Sequence, residues 1–399
     1  MVLRFRNLTK CHFSISKLLN LIEDKRYPCL GPHIWMLNLG CLWNSKTNKF
    51  KKFTLYFAVC FFISQYVKCV IKHKPSDLKL ILRHASFHLG IVKACFFLKN
   101  YKKWENLIDY ISTIERNQIA DGNIDKMEII TEYIKRDRRI TYFFWALGFI
   151  AILGIFTEPY LLNEKAINGT AGVYVNVIDG YIPYGGEPPG YYISMFIQTV
   201  LGFIVSAVVL GWDTLVCAIM ICLCGQLRIM RWNCANMIDV NDTEKSRSNI
   251  AECHRKHVTL VMYQRLFNSL ISPPMFIYLI VVSIYLGISI MEIVKLANDL
   301  NTLISSFVYL CASLTQLLLF YWHSNDVDLQ STMVSYGVFE SDWVGMDVRC
   351  QREVMLLGYT TRTRLVFYAG PFNEMTLATF IGILRLTYSL FTLLSSTSG

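Results

Sequence analysis

The sequence predicts an all-α membrane protein with seven transmembrane helices. Of its 399 residues, 53% are hydrophobic and only 17% are charged, whereas soluble domains carry about 25% charged residues. The mean hydropathy is +0.36. Several apolar stretches are long enough to cross a bilayer, and the loops between them are rich in Lys and Arg. Lipid rather than water is therefore the expected solvent for most of the chain.

The predicted spans follow from length, since a transmembrane helix needs about 20 mostly apolar residues. Seven stretches are assigned as spans: 53–71, 77–98, 140–162, 192–226, 270–294, 303–322 and 376–394. The fourth is longer than a bilayer requires, with Asp213 as its only formal charge, so its helix should continue beyond the membrane. Five polar side chains interrupt the second: Lys79, Arg83, His84, His88 and Lys93. Hydropathy alone leaves six and seven spans open.

The distribution of basic residues decides between six and seven spans. With seven spans and a cytosolic amino terminus, 30 of the 39 Lys and Arg residues fall in cytosolic segments and 5 on the outer side, if Lys79 at the outer end of the second span is counted there. Omitting the second span would move every later loop to the other side and destroy this positive-inside bias. The carboxy terminus is therefore expected outside the cell. The charged groups of the second span should face a protein-lined or partly wet interior, because a charge that faces lipid is costly.

The outer loop 163–191 contains the sequon NGT, and Asn168 is the predicted glycosylation site. The other two sequons, at Asn7 and Asn241, lie in segments assigned to the cytosol. The first 26 residues lack a long apolar region and a small-residue cleavage site, so no cleaved signal peptide is expected.

Several function classes are disfavoured by the residues themselves. The net charge of +10 comes from basic residues spread between spans rather than one patch, so nucleic-acid binding is not expected. The thirteen cysteines show no metal-ligand spacing and are interpreted as small buried residues. His84 and His88, four apart, are expected to be pocket or interface residues rather than metal ligands. No H-E-x-x-H, G-x-S-x-G or P-loop motif is present, so we expect neither an enzyme nor a cofactor.

Two other seven-span classes fit poorly. A G-protein-coupled receptor would have the opposite orientation, an Asp-Arg-Tyr triplet after the third span and an Asn-Pro-x-x-Tyr motif in the seventh. A transporter would show internal repeats, and none is found.

The last 70 residues carry a more specific pattern. Trp343 lies in ESDWVG, the pair Leu356 and Leu357 in REVMLLG, and Ala369 with Gly370 in YAGPF. The chain then closes with YSLFTLL, residues 388–394. These features resemble the carboxy-terminal region of insect odorant receptors. One departure is TRTRLVFYAG, where members of that family often have a Lys-Pro-like pair before the Ala-Gly turn.

The resemblance implies an odorant-gated, non-selective cation channel in the plasma membrane of a sensory neuron dendrite. It further implies a tetramer in which this chain is a tuning subunit that assembles with the shared odorant co-receptor, because the co-receptor's long cytosolic insertion is lacking. The implied divisions are 1–322 with the odorant pocket, 323–375 as an intracellular anchor, and 376–399 as the pore-lining seventh helix. Gustatory receptors share the topology and remain the alternative.

A volatile ligand needs an apolar, aromatic cage with a few placed polar groups. The outer halves of spans two to six supply the candidate odorant-binding residues, which are His84, Phe87, His88, Ile152, Ile155, Phe156, Phe196, Thr199, Phe203, Tyr285, Ile288, Ser305 and Tyr309. The predicted pore and gate residues are Arg385, Tyr388, Phe391, Leu394 and Ser395. Arg385 is roughly mid-helix, so it should face the pore, a neighbouring subunit, or a carboxylate such as Asp213 or Glu292.

Overall fold

The computed structural model describes residues 22–43, 48–72, 85–167, 189–295 and 300–397. Ten helices and one two-stranded sheet lie in these ranges. The helices are α1 Gly31–Leu39, α2 Lys49–Lys72, α3 Ala85–Lys99, α4 Tyr101–Asp121, α5 Ile124–Ile167, α6 Gly190–Ala235, α7 Thr243–Lys295, α8 Leu300–Phe339, α9 Val348–Thr360 and α10 Leu377–Thr397. Strands β1 Tyr368–Ala369 and β2 Asn373–Glu374 pair in antiparallel fashion.

Each predicted span lies on a helix, in the order α2, α3, α5, α6, α7, α8 and α10. Residues 77–84 of the second span lie outside the described part of the chain. Within that part, three helices are long and apolar enough to cross a membrane by length and composition: Ile124–Thr157, Gly190–Ala235 and Thr243–Gly287. The apolar run Leu377–Leu393 is shorter.

Helix α6 forms the centre of the bundle. It runs to Ala235, which confirms the predicted extension beyond the membrane. Every residue from Gly211 to Gly225 is buried, because α6 packs against α8, α5, α1 and α3. Trp212 continues the core towards α4 through an edge-on contact with Trp104, whose ring also stacks on Phe97 at 5.2 Å. A helix that is apolar on all sides is buried on all sides.

The short helix α1 was not predicted, and it docks into the bundle. A Cβ on Gly211 would lie 3.0 Å from the backbone nitrogen of Leu37, so this glycine allows α1 to approach α6 closely. The guanidinium of Arg138 donates to the carbonyl oxygens of Pro28 and Cys29 at 2.8 and 2.6 Å. These contacts tie the segment before α1 to α5, so the amino-terminal region contributes to the core.

A buried carboxylate links the same segment to α4. Glu115 Oε2 accepts from the backbone N–H of Cys29 at 3.2 Å, and Oε1 accepts from the Tyr133 hydroxyl at 2.8 Å and the Cys222 thiol at 3.4 Å. Burial raises the pKa of Glu115 above its usual value, and these hydrogen bonds partly offset the effect. Cys29, Glu115 and Cys222 are the one group in the described ranges with potential metal-ligand atoms within 4.8 Å. The hydrogen bonds already satisfy the Glu115 carboxylate, so we interpret the cluster as a structural link between α4 and the segment before α1.

The carboxy-terminal segment differs from expectation in one respect. The sequence of residues 346–366 predicts one amphipathic helix with its apolar residues on a single face, but α9 ends at Thr360 and the chain then runs extended to β1. Asp347 caps α9, with Oδ2 accepting from the backbone N–H groups of Arg349 and Cys350. The predicted single apolar face is also split, because Leu357 is buried while Met355 is exposed.

The Ala-Gly turn has a steric explanation. Gly370 has φ +77°, and a Cβ there would lie 2.5 Å from the ring of Phe276. Its N–H donates to the carbonyl oxygen of Ser272 at 3.2 Å. Only glycine meets both the positive φ and the close approach, so this turn fixes how the chain enters α10.

Candidate functional site

An aromatic cluster joins α2, α3, α5 and α6. The rings of Phe62 and Phe87 are stacked with centroids 6.2 Å apart, and Phe87 meets Phe156 edge-on at 6.2 Å. Phe156 in turn stacks on Phe203 of α6 at 5.0 Å. Gly202 makes room for this arrangement, because a Cβ there would lie 2.3 Å from the Phe156 ring. The cluster therefore depends on a glycine one residue from Phe203.

A cavity of about 70 Å³ lies beside this cluster, between α3, α5, α6 and α8. Its lining is mostly apolar, with one polar residue from α6 and two from α8, and consists of Phe87, Phe144, Gly148, Ala151, Ile152, Ile155, Ser206, Val209, Leu210, Ala312, Ser313 and Gln316. A smaller cavity of about 10 Å³ shares Val209, Ser313 and Gln316 with it and reaches Tyr285 on α7. Apolar walls with a few polar groups are the usual composition of a small-molecule site.

A buried ion pair lies beside the two cavities, since Lys93 lines the smaller one and Gln316, which contacts Asp213, lines both. Lys93 Nζ of α3 donates to Asp213 Oδ1 of α6 at 2.5 Å, and their side chains are 1% and 3% exposed. Gln316 Nε2 of α8 donates to the other oxygen, Asp213 Oδ2. The ammonium also lies 4.7 Å from the ring centroid of Tyr278 and 5.0 Å from that of Trp212. This confirms that a charged group of the second span faces a protein-lined interior, and the pair together with Gln316 joins α3, α6 and α8.

The last helix, α10, is buried on one side only. Ile383 and Thr387 face the bundle, and the Thr387 hydroxyl donates to the Ile383 carbonyl at 3.0 Å. Arg385 is exposed, and Tyr388 is 66% exposed with its ring 6.4 Å from that of Phe391. An arginine and a tyrosine therefore share the face of α10 that this subunit leaves open.

Comparison with known proteins identifies the family. A family model described as 7tm Odorant receptor matches residues 79–388. The chain belongs to the odorant receptor family. It is 21% identical over 310 residues to Odorant receptor 10 of Aedes albopictus, with 76% of this chain and 80% of that protein covered. Odorant receptor Or2 of Anopheles gambiae is 20% identical, with the same coverage.

The fold of this odorant receptor is that of solved insect receptors. The olfactory receptor OR5 of Machilis hrabei in complex with eugenol superposes with a TM-score of 0.74 at 13% identity, over 91% of this chain and 98% of that one. A second structure of the same receptor superposes with a TM-score of 0.75 at 13% identity, over 90% of this chain and 97% of that one. The seven-helix membrane architecture predicted from hydropathy and charge is thus confirmed. The match to the odorant receptor family model, rather than the fold, decides against the G-protein-coupled, transporter and gustatory alternatives.

The receptor brings some of the predicted odorant residues together and leaves others apart. Phe87, Ile152 and Ile155 line the larger cavity and Tyr285 the smaller one. Phe156 and His88 lie beside them, the latter edge-on to Phe62 at 5.7 Å.

Three predicted residues on α6 lie further out. Phe203 is 40% exposed behind Phe156, and Phe196 is 69% exposed. The Thr199 hydroxyl donates to the backbone carbonyl of Met195 at 2.8 Å. One predicted residue and five predicted side chains lie outside those the structure describes: His84, and the side chains of Ile288, Ser305, Tyr309, Leu394 and Ser395. Asn168 also lies outside the described residues.

Sequence reasoning missed the polar side of the receptor's cavity. Gln316, Ser206 and Ser313 were not candidates, because polar residues in apolar helices look alike in sequence. The available signal was the pair of opposite charges, Lys93 and Asp213, in two different spans. That pair also bears on Arg385, because Lys93 occupies Asp213 and so removes it as a partner for that arginine; Glu292 lies outside the described side chains.

Proposed function

We propose that this odorant receptor binds a small volatile molecule in the cavity between α3, α5, α6 and α8, and that binding opens a cation path along α10. The observation that carries the proposal is a mostly apolar cavity beside a buried ion pair that, together with Gln316, joins three of its four helices. Four of the residues predicted as odorant contacts lie on the two joined cavities.

The size of the cavity suggests how binding is coupled to opening. About 70 Å³ is smaller than the roughly 150 Å³ cavity that holds benzene in another protein. An odorant must therefore displace wall residues or the helices that carry them. A ligand shifts a conformational equilibrium only by its differential affinity for the two states. A site that is too small in this state and larger in the open state provides that difference.

We further propose that the receptor works in the plasma membrane as a heteromer with the odorant co-receptor. Two exposed apolar surfaces support assembly. On α9, Val348, Leu356 and Tyr359 are 65%, 65% and 76% exposed, and on α10 Tyr388 and Leu393 are 66% and 61% exposed. Exposed apolar patches of this kind mark sites of protein or lipid contact. The α9 surface would serve as the intracellular anchor, and the open face of α10 would line the pore with Arg385, Tyr388, Phe391, Leu394 and Ser395.

The test is whole-cell recording with an odorant panel, with and without co-receptor, for the wild-type receptor and for Phe87→Ala. Removing the Phe87 ring takes away one wall of the cavity, so we expect the half-maximal odorant concentration to change at least about tenfold. Phe196→Ala is the matched control, because that ring lies on the subunit surface, and it should leave the curve in place. Tyr309→Ala tests a predicted odorant contact whose side chain is not among those that the structure describes.

Surface labelling separates loss of binding from loss of folding. Unchanged dose-response curves for Phe87→Ala at normal surface density would rule out this placement of the pocket. An odorant response of equal size without co-receptor would count against the heteromer.

A further inference from the structure

The polar side chains at and near the cavity differ in whether they can donate a hydrogen bond to a ligand or accept one from it. Asp213 is an acceptor when ionised, and it takes hydrogen bonds from Lys93 and Gln316. This fixes the orientation of the Gln316 amide, because its nitrogen must face the carboxylate. The oxygen of that amide is then turned to other partners, and Gln316 lines both cavities.

The hydroxyl proton of Ser206 is already used in a hydrogen bond. Its hydroxyl donates to the carbonyl oxygen of Gly202, one turn earlier in α6, at 2.7 Å. A hydroxyl has one donor and two acceptor positions, so Ser206 offers a ligand lone pairs only. The third polar residue, Ser313, is not used here to distinguish ligands, because a hydroxyl has both a donor and acceptor positions.

The strongest hydrogen-bond donor near the larger cavity, the Lys93 ammonium, is engaged by other groups. Lys93 lines the smaller cavity of about 10 Å³ but is not among the residues that line the larger one. Its ammonium is held by Asp213 and by the rings of Tyr278, Trp212 and Phe320, 4.7, 5.0 and 5.8 Å away. The larger cavity therefore presents apolar walls and an excess of acceptors.

We propose that this receptor selects odorants that carry a hydroxyl group, namely small alcohols or phenols, whose O–H donates to the amide oxygen of Gln316 with Ser206 as a second acceptor. This inference rests on the proposed odorant site and specifies its ligand chemistry. An ether, ester or ketone of the same shape has no O–H to donate. Its oxygen would face the amide oxygen of Gln316, and the lone pairs of both would be buried without a hydrogen bond. Such a mismatch lowers affinity by about tenfold or more.

The first experiment uses the wild-type heteromer and several short carbon skeletons, each as alcohol, methyl ether, ketone and hydrocarbon. Dose-response curves are recorded for every member. We expect the alcohol to be at least about tenfold more potent than the other three members of its series. Equal potency of alcohol and ether, or a preference for the ketone, would overturn the inference while leaving the odorant site intact. Silence to every compound would instead contradict the proposed function.

The second experiment locates the selectivity. Gln316→Met keeps the length of the side chain but removes the amide oxygen, and it should reduce the advantage of the alcohol over the ether to about threefold or less. Ser206→Ala removes only a bond to the backbone of its own helix, so it should fold normally and reduce the advantage in part. Phe196→Ala should retain the full advantage. An unchanged alcohol-to-ether ratio in both Gln316→Met and Ser206→Ala would overturn the assignment, and Ser206→Ala with the wild-type series decides the matter if Gln316→Met does not reach the surface.

Discussion

Replacing Lys93 with Met should destabilise the receptor strongly. Met keeps most of the length of the side chain, so packing is largely preserved and the charge is the main loss. Asp213 would then be a carboxylate only 3% exposed, with Gln316 as its remaining side-chain donor among the contacts described above. Leaving one member of a buried ion pair without its partner costs about 3–5 kcal/mol. Part of that figure is the loss of the contacts between the ammonium and the surrounding rings, worth about 0.5–2 kcal/mol.

The two partners should be strongly non-additive. Asp213→Asn leaves an uncompensated ammonium and should cost a similar amount, whereas the double variant Lys93→Met/Asp213→Asn buries no net charge. We expect the double variant to lose at least about 3 kcal/mol less than the sum of the two single variants. The experiment is a double-mutant cycle on purified receptor in detergent, with the fraction that stays monodisperse after heating as the readout. Each single variant should melt about 5–10 °C below wild type.

The result that refutes this reasoning is additivity. If both single variants melt within about 2 °C of wild type, or if the double variant shows the sum of their losses, the pair is not a buried, mutually dependent contact. Lys99→Met, at the end of the same helix, controls for the general effect of removing a lysine from α3.

Two further predictions concern the cytosolic core and the pore. Burial raises the pKa of Glu115 above 4.5, so protonation favours the folded state. Its contribution to stability is present below about pH 4.5 and is lost as the pH rises through the raised value. Glu115→Gln should therefore flatten the pH dependence of the melting temperature above about pH 4.5, and an identical slope in both proteins would contradict this. Phe391→Ala in the heteromer should raise the basal current, because Phe391 is a predicted gate residue and an apolar constriction closes a pore by excluding water. Unaltered leak and rectification at normal surface density would remove Phe391 from the gate.

The outline of the molecule was predictable because its signals are local. Hydropathy over about 20 residues locates a span, and a count of Lys and Arg in the loops orients the whole set. The same reasoning predicted that α6 is longer than a bilayer requires, because its apolar stretch is also longer. The pattern around Ala369 and Gly370 was visible as a motif, but its cause, a positive φ against the ring of Phe276, was not.

The candidate site could be predicted only in part. Phe87 and Phe196 look equivalent in sequence, because both are aromatic residues in apolar spans. In the structure one lines the cavity and the other is 69% exposed. Which side of a helix faces the bundle depends on its neighbours, and an all-apolar stretch carries no period that reveals them. The early end of α9 at Thr360 also depends on a neighbouring helix. The residues that follow it make hydrogen bonds to α8, as the Leu365 N–H does to Ser331 Oγ at 3.0 Å.

The sequence by itself determined the membrane class, the number and order of the spans, their orientation and the family resemblance. Only the tertiary structure decided that α1 enters the core, that Lys93 pairs with Asp213, and that Gln316 turns its amide nitrogen to that pair. The physical reason is separation along the chain. Spans and charge bias are properties of contiguous residues, whereas the partners beside the cavity are more than 100 residues apart and meet only because three helices pack together.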